Sequence, residues 1–150
     1  MDVRVRRATL GDLESLIGFA AEEAREAEGI EKAPATLRAG IAAALENEEL
    51  ALYWVLADEH DQAVGAISAL KEWSNWNAGF YWWVQSLFIA PGYRGRGLLR
   101  LLIDAVRDEA RRQNGLDLRL YVHEGNERAR AAYRQVGFAE MHYRIMSRAL

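Results

Sequence analysis

The segment SLFIAPGYRGRGLLRLL, residues 86–102, constrains the fold more than any other part of the chain. An apolar run of strand character enters a turn holding Pro91, Gly92, Gly95 and Gly97, and a leucine-rich helical pattern leaves it. The first turn of a helix carries unpaired N–H groups and a partial positive charge, and glycines let an anion approach the backbone closely. Phosphate is the natural guest, and Arg94 and Arg96 would add charge-assisted hydrogen bonds to it. Taken in isolation, the same residues also make a plain tight turn with solvated arginines. Two common phosphate loops do not fit. A Walker loop needs Lys and then Ser or Thr, where Leu98 and Leu99 stand; a dinucleotide fingerprint needs Gly at Arg100.

Around this turn the pattern predicts a mixed α/β domain over residues 1–150, with the order β α α β β β α β α β. VRVRRAT alternates as a strand, and a helical pattern then runs to Gly29. A second helix begins at Pro34, with Leu37, Ile41 and Leu45 on one face. Two strands follow, joined by the polar turn at Asp58–Gln62, and GFYWWVQSLFIA reads as a strand near the middle of a sheet. LDLRLYV alternates, a short helix runs from Asn126 towards Gly137, and FAEMHYRIMSR reads as a closing strand.

Composition narrows the functions. A formal charge of -3, with both signs spread along the chain, gives no basic field for nucleic acid. The absence of cysteine removes disulfides and thiolate chemistry, and His60, His123 and His142 show no metal-ligand spacing, so no metal is expected. No run approaches the ~20 apolar residues that span a bilayer, and the N-terminus lacks a signal-type stretch, so a cytoplasmic location without membrane attachment is expected.

Arg94, Gly95, Arg96 and Gly97, placed between a strand and a helix, resemble the acyl-CoA pyrophosphate loop of the GNAT (Gcn5-related N-acetyltransferase) superfamily. Leu99 stands where that pattern has a small residue. A second segment, NERARAAYRQVGF, is similar to the family's Asn, Ala, Tyr, Gly, Phe spacing at Asn126, Ala129, Tyr133, Gly137 and Phe138. The resemblance implies the acyl-CoA N-acyltransferase fold, a central mixed sheet flanked by helices, and an acetyl-CoA-dependent N-acetyltransferase with direct transfer to a primary amine of a small molecule, peptide or protein. It further implies that the strand ending in Leu87, Phe88 and Ile89 splays from its neighbour and binds the pantetheine arm. The turn through Leu98 and Leu99 would hold the pyrophosphate, Asn126 would contact the coenzyme, and Tyr133 would protonate the leaving thiolate. Asn126 is equally a good helix N-cap, and Tyr133 equally an aromatic on an amphipathic helix. An uncharacterised bacterial subgroup shares the EWSNWNAGFYWWVQSLFI character, and dimers are frequent among similar proteins, so a homodimer is allowed.

Such chemistry needs a neutral amine, a stabilised oxyanion and a protonated leaving group. Some members of the family that the chain resembles place a glutamate early in the central strand, but the corresponding YWWVQ has Trp83 there, and Gln85 accepts no proton at neutral pH. Glu22, Glu28, Glu72, His123 and Glu124 are the remaining candidates, each also readable as a surface residue. Trp73, Trp76 and Trp83, with Gln85 and Glu28, are candidates to bind the acceptor, aromatic faces suiting an apolar group or a cation. The alternative is a module that binds acyl-CoA without chemistry, motivated by the missing base and by Leu99.

Overall fold

The computed structural model describes residues 2–150. Its strands are β1 (Arg4–Arg7), β2 (Leu52–Ala57), β3 (Ala63–Ser74), β4 (Gly79–Ile89) and β5 (Asp117–Leu120). Its helices are α1 (Leu13–Glu28), α2 (Pro34–Glu46), α3 (Leu98–Arg112) and α4 (Glu127–Gln135), with short 3-10 turns at Leu10–Asp12 and Pro91–Tyr93. The strands form one sheet in the order β1-β2-β3-β4-β5, antiparallel up to β4 and parallel between β4 and β5. The parallel step requires a crossover, which α3 provides.

Alternation within β2 assigns the two faces of the sheet. Leu52, Trp54 and Leu56 join Leu102, Ile103 and Val106 of α3 in one core. Val55, flanked by Tyr53, joins Leu16, Ile17 and Ile41 of α1 and α2 in the other. Helices on both faces bury the sheet's middle and leave the active elements at its ends. Gly29 closes α1 at φ 66, and Pro34 stands in the first turn of α2, as the sequence predicts.

The expected closing strand does not form. Residues 139–150 follow α4 as exposed chain without ladder pairing, so the order ends β α α β β β α β α. Alternation in the sequence specifies a strand-forming segment but not an edge for it to join, and within this chain that segment takes none.

Candidate active site

The site grows from an irregularity in β4. Ser68 pairs with Ser86 and Ala69 with Val84, so Gln85 is an extra residue, a β-bulge. The bulge inverts the alternation of the strand: Trp82 and Val84 face α3 before it, and Leu87 and Ile89 face α3 after it. Phe88 turns to the opposite face and stacks on Phe19 of α1 at 5.3 Å. Pairing with β5 stops at Val84–Leu120, while β4 runs on to Ile89. Beyond that point the two parallel strands diverge, and one edge of β4 lies open along Leu87, Phe88 and Ile89.

Into this opening α1 sends Glu23. Its Oε2 accepts the Leu87 N–H at 2.8 Å, so a carboxylate occupies the main-chain donor that the splayed strand offers. Burial raises the Glu23 carboxyl to about 7, against the hydrogen bond from Leu87 and with added repulsion from Glu26. Glu23 lines a small cavity of ≈ 20 Å³ with Phe19, Tyr53, Ser86 and Leu87. Ser68 and Ser86 hydrogen-bond through their hydroxyls at 2.7 Å beneath it. Burial, and then the charge of Glu23, push the Tyr133 hydroxyl up to about 12. Tyr133 is held by an edge contact with Phe138 at 5.9 Å.

The turn into α3 has an anion-ready conformation. Gly95 and Gly97 adopt φ 76 and φ 75, the left-handed region that glycine enters without strain, and nothing lies within 4 Å of where a Cβ would stand on either. The N-cap of α3 is Gly97, which has no side chain to cap the first turn. Its amides therefore open onto the space above the glycines, the arrangement that accepts phosphate oxygens. Leu98 is buried and Leu99 packs against the α3 core, so the side chain of Leu99 points away from that space. Arg94 braces the turn: its Nε donates to the Ile89 carbonyl at 2.7 Å, and its Nη2 reaches Glu26 of α1 at 3.0 Å. Arg96 lies 6.0 Å from the ring of Tyr93.

Other candidate residues fall elsewhere. Asn126 Oδ1 accepts the Ala129 N–H at 3.1 Å and caps α4. Glu28 and Gln85 are exposed. Trp73 and Trp76, 54% and 90% exposed, sit on the β3–β4 hairpin tip. That tip is the length of β4, about 30 Å, from the turn, and neither residue borders the cavity. Trp83 stacks on Tyr121 at 4.5 Å and donates to Glu72 at 3.3 Å. Of the carboxylates singled out in the sequence, Glu22 pairs with Arg25 and Glu72 serves Trp83. His123 accepts the Gly125 N–H. Glu23 escaped the sequence reading, although its phase marks it: it stands seven residues after Leu16, four after Phe19 and three after Ala20, on the buried stripe of α1.

The acetyltransferase (GNAT) family profile matches residues 19–138. The chain belongs to the GNAT acetyltransferase family. Among solved structures, a possible acetyltransferase from Clostridium difficile 630 is 29% identical, with a TM-score of 0.91 over 99% of this chain and 97% of that one. A ribosomal-protein-alanine N-acetyltransferase from Brucella melitensis biovar Abortus 2308 is 19% identical, with a TM-score of 0.81 over 99% and 100% of the two chains. An aminoglycoside N-acetyltransferase, AAC(6')-Iy, in complex with CoA, is 16% identical, with a TM-score of 0.83 over 99% and 95%. These last two share the fold. A comparison with curated protein sequences found no match. No helix of this GNAT acetyltransferase is long and apolar enough to cross a membrane, and no group of metal-ligating side chains occurs among the described residues.

Proposed function

We propose that the protein transfers the acetyl group of acetyl-CoA directly to the primary amine of a small molecule, within a ternary complex in the cytoplasm. The observation that carries this reading is the open edge of β4 past Val84, with the Leu87 N–H at its centre and the Gly95–Gly97 turn at its end. The turn and the start of α3 would bind the pyrophosphate, the edge from Leu87 to Ile89 the pantetheine arm, and Leu87 N–H the thioester oxygen. Asn126, which caps α4, would also contact the coenzyme.

Glu23 and Tyr133 suit the two proton transfers. An incoming ammonium gives one proton to ionised Glu23 and becomes a nucleophile. Its nitrogen attacks the thioester carbonyl, the C–N bond forms, and the oxyanion leans on the Leu87 N–H. As the C–S bond breaks, Tyr133 donates to sulfur, and the proton lost by the amide nitrogen restores the phenol. A phenol at about 12 stays protonated throughout the neutral range, and a thiolate of ordinary pKa ~8.5 gains from a donor at its side. The cavity that Glu23 borders with Phe19, Tyr53 and Ser86, at ≈ 20 Å³, is the size of a water molecule and would hold one beside the carboxyl.

A module that binds acyl-CoA without chemistry would rest on a missing base and on a displaced helix start. Glu23 would serve as that base, and the packing of Leu99 against the α3 core favours an undisplaced helix start, so both observations support the catalytic reading. The test is calorimetry with acetyl-CoA followed by thiol release across an amine panel. We expect binding and turnover, with Tyr133→Phe lowering turnover roughly 100-fold or more and leaving acetyl-CoA affinity within about twofold. Binding without thiol release from any amine would support the module instead; no binding at all would refute both.

A further inference from the structure

One row of the sheet face that meets α1 is polar. The register pairs Tyr53 of β2 with Ser68 of β3, and Ser68 with Ser86 of β4, so three hydroxyl side chains stand side by side on adjacent strands. The next row on the same face, Val55, Ala66 and Phe88, is wholly apolar. The bulge completes the polar row. Ala69 pairs with Val84, so a regular ladder would set Gln85 opposite Ser68, and the extra residue sets Ser86 there instead.

Ser68 is fully buried, and its hydroxyl meets that of Ser86 at 2.7 Å. Burial pushes the Tyr53 hydroxyl up, against hydrogen bonding with Ser68 and Ser86, and the charge of Glu23 adds to the rise, so Tyr53 stays a donor across the neutral range. Tyr53 and Ser86 share the cavity of ≈ 20 Å³ with Glu23, room for one water or one carboxylate oxygen. No cation bonds Glu23 among the described residues. The titratable groups that interact with it are Glu26 of α1, Tyr53 of β2 and Tyr133 of α4, while Arg94 at the turn is taken up by Glu26. A buried carboxylate that gives up the Leu87 N–H therefore needs another donor, and the polar row borders it.

We propose that Tyr53 and Ser86, with Ser68 fixing the Ser86 hydroxyl, form a second hydrogen-bonding position for the Glu23 carboxylate, which receives it when the acyl donor claims the Leu87 N–H. Tyr53 is thereby a positioning residue: its hydroxyl holds the freed carboxylate beside the strand while the acceptor amine approaches. The proposal rests on the reading of Glu23 as the base.

The Glu23 carboxyl carbon, labelled and titrated by NMR, supplies the test in protein bound to acetonyl-CoA, whose ketone oxygen stands for that of the thioester. Tyr53→Phe and Ser86→Ala each remove a donor to the carboxylate, so the midpoint is expected to rise by about one pH unit in either variant, and Ser86→Thr, which keeps a hydroxyl, to titrate as wild type. Without the analogue, where the Leu87 N–H holds the carboxylate, the rise is expected to be smaller. Unchanged midpoints with the analogue bound, or equal rises with and without it, overturn the proposal. The acid limb of kcat/KM for the fastest amine of the panel, at saturating acetyl-CoA, should move with the midpoint. A rate lowered evenly across pH in Tyr53→Phe, with the limb unmoved, makes Tyr53 a packing residue and overturns the proposal while Glu23 remains the base. A limb that survives Glu23→Gln, or an analogue that does not bind, removes the underlying reading and the proposal with it.

Discussion

Glu23 stands among Glu22, Glu26 and Glu28 in a run that reads as the wet side of a helix, and only the phase set by Leu16, Phe19 and Ala20 turns it inward. With its carboxyl raised to about 7, acetyl transfer should rise with pH through that value as the base ionises. In Glu23→Gln this limb should vanish from the pH–rate profile and kcat should fall, while acetyl-CoA binding persists. The same shift acts on stability. A carboxyl raised on folding favours the native state fully below about 4.5 and loses that contribution as pH rises through about 7. Denaturant titrations at pH 8 should therefore find Glu23→Gln more stable than wild type, by up to roughly 3 kcal/mol, and the difference should shrink at pH 5. Asp12 has the opposite sign. Burial pushes its carboxyl up, but two bonds from Arg6, at 2.9 and 3.0 Å, and the Thr9 N–H hold it below the ordinary value. Its contribution is present at neutral pH and lost as pH falls through the lowered pKa. Asp12→Ala removes two charge-assisted bonds from Arg6, which keeps Asp61 at 2.8 Å, and should cost about 2 kcal/mol at pH 7 in the same titration.

At the scale of elements, the turn before α3 and the end of α3 each depend on glycine for a different reason. Gly97→Asp puts a side chain at φ 75 and a negative charge over the uncapped amides, so acetyl-CoA affinity should drop at least tenfold by calorimetry. Gly97→Asn, similar in size and neutral, should lose less, and equal losses would point to crowding rather than charge. Gly115 is required by proximity: a Cβ there would stand 2.8 Å from the ring of Trp82 and 3.0 Å from the Ala110 carbonyl. Trp82 is fully buried, so Gly115→Ala must displace the core, and a loss of about 2 kcal/mol in thermal or denaturant unfolding is expected. Most elements were legible in the sequence because their periodicity coincides with burial, as in β2 and α3. The turn was legible because its glycines and its flanking strand and helix are contiguous. The bulge at Gln85 was not, since a single extra residue leaves no compositional mark in a strand apolar on both faces. Of the tryptophans named from the sequence as acceptor contacts, Trp83 stacks on Tyr121, and Trp73 and Trp76 belong to a hairpin tip, a placement that depends on where the β3–β4 turn falls and not on residue type.

Across the whole molecule, α1 touches both halves of the proposed coenzyme site. Glu23 holds the Leu87 N–H, and Glu26 holds Arg94 at the turn, so two carboxylates one helical turn apart clasp the edge that the donor must occupy. On the proposed reading a thioester oxygen would reach Leu87 by displacing Glu23, and the displaced carboxylate would then receive the ammonium. On that reading the donor would prepare the seat for the acceptor, and a compulsory sequence of arrival is the expected outcome. In steady-state experiments CoA should compete with acetyl-CoA but not with the amine, and the amine alone should scarcely associate with the apoenzyme.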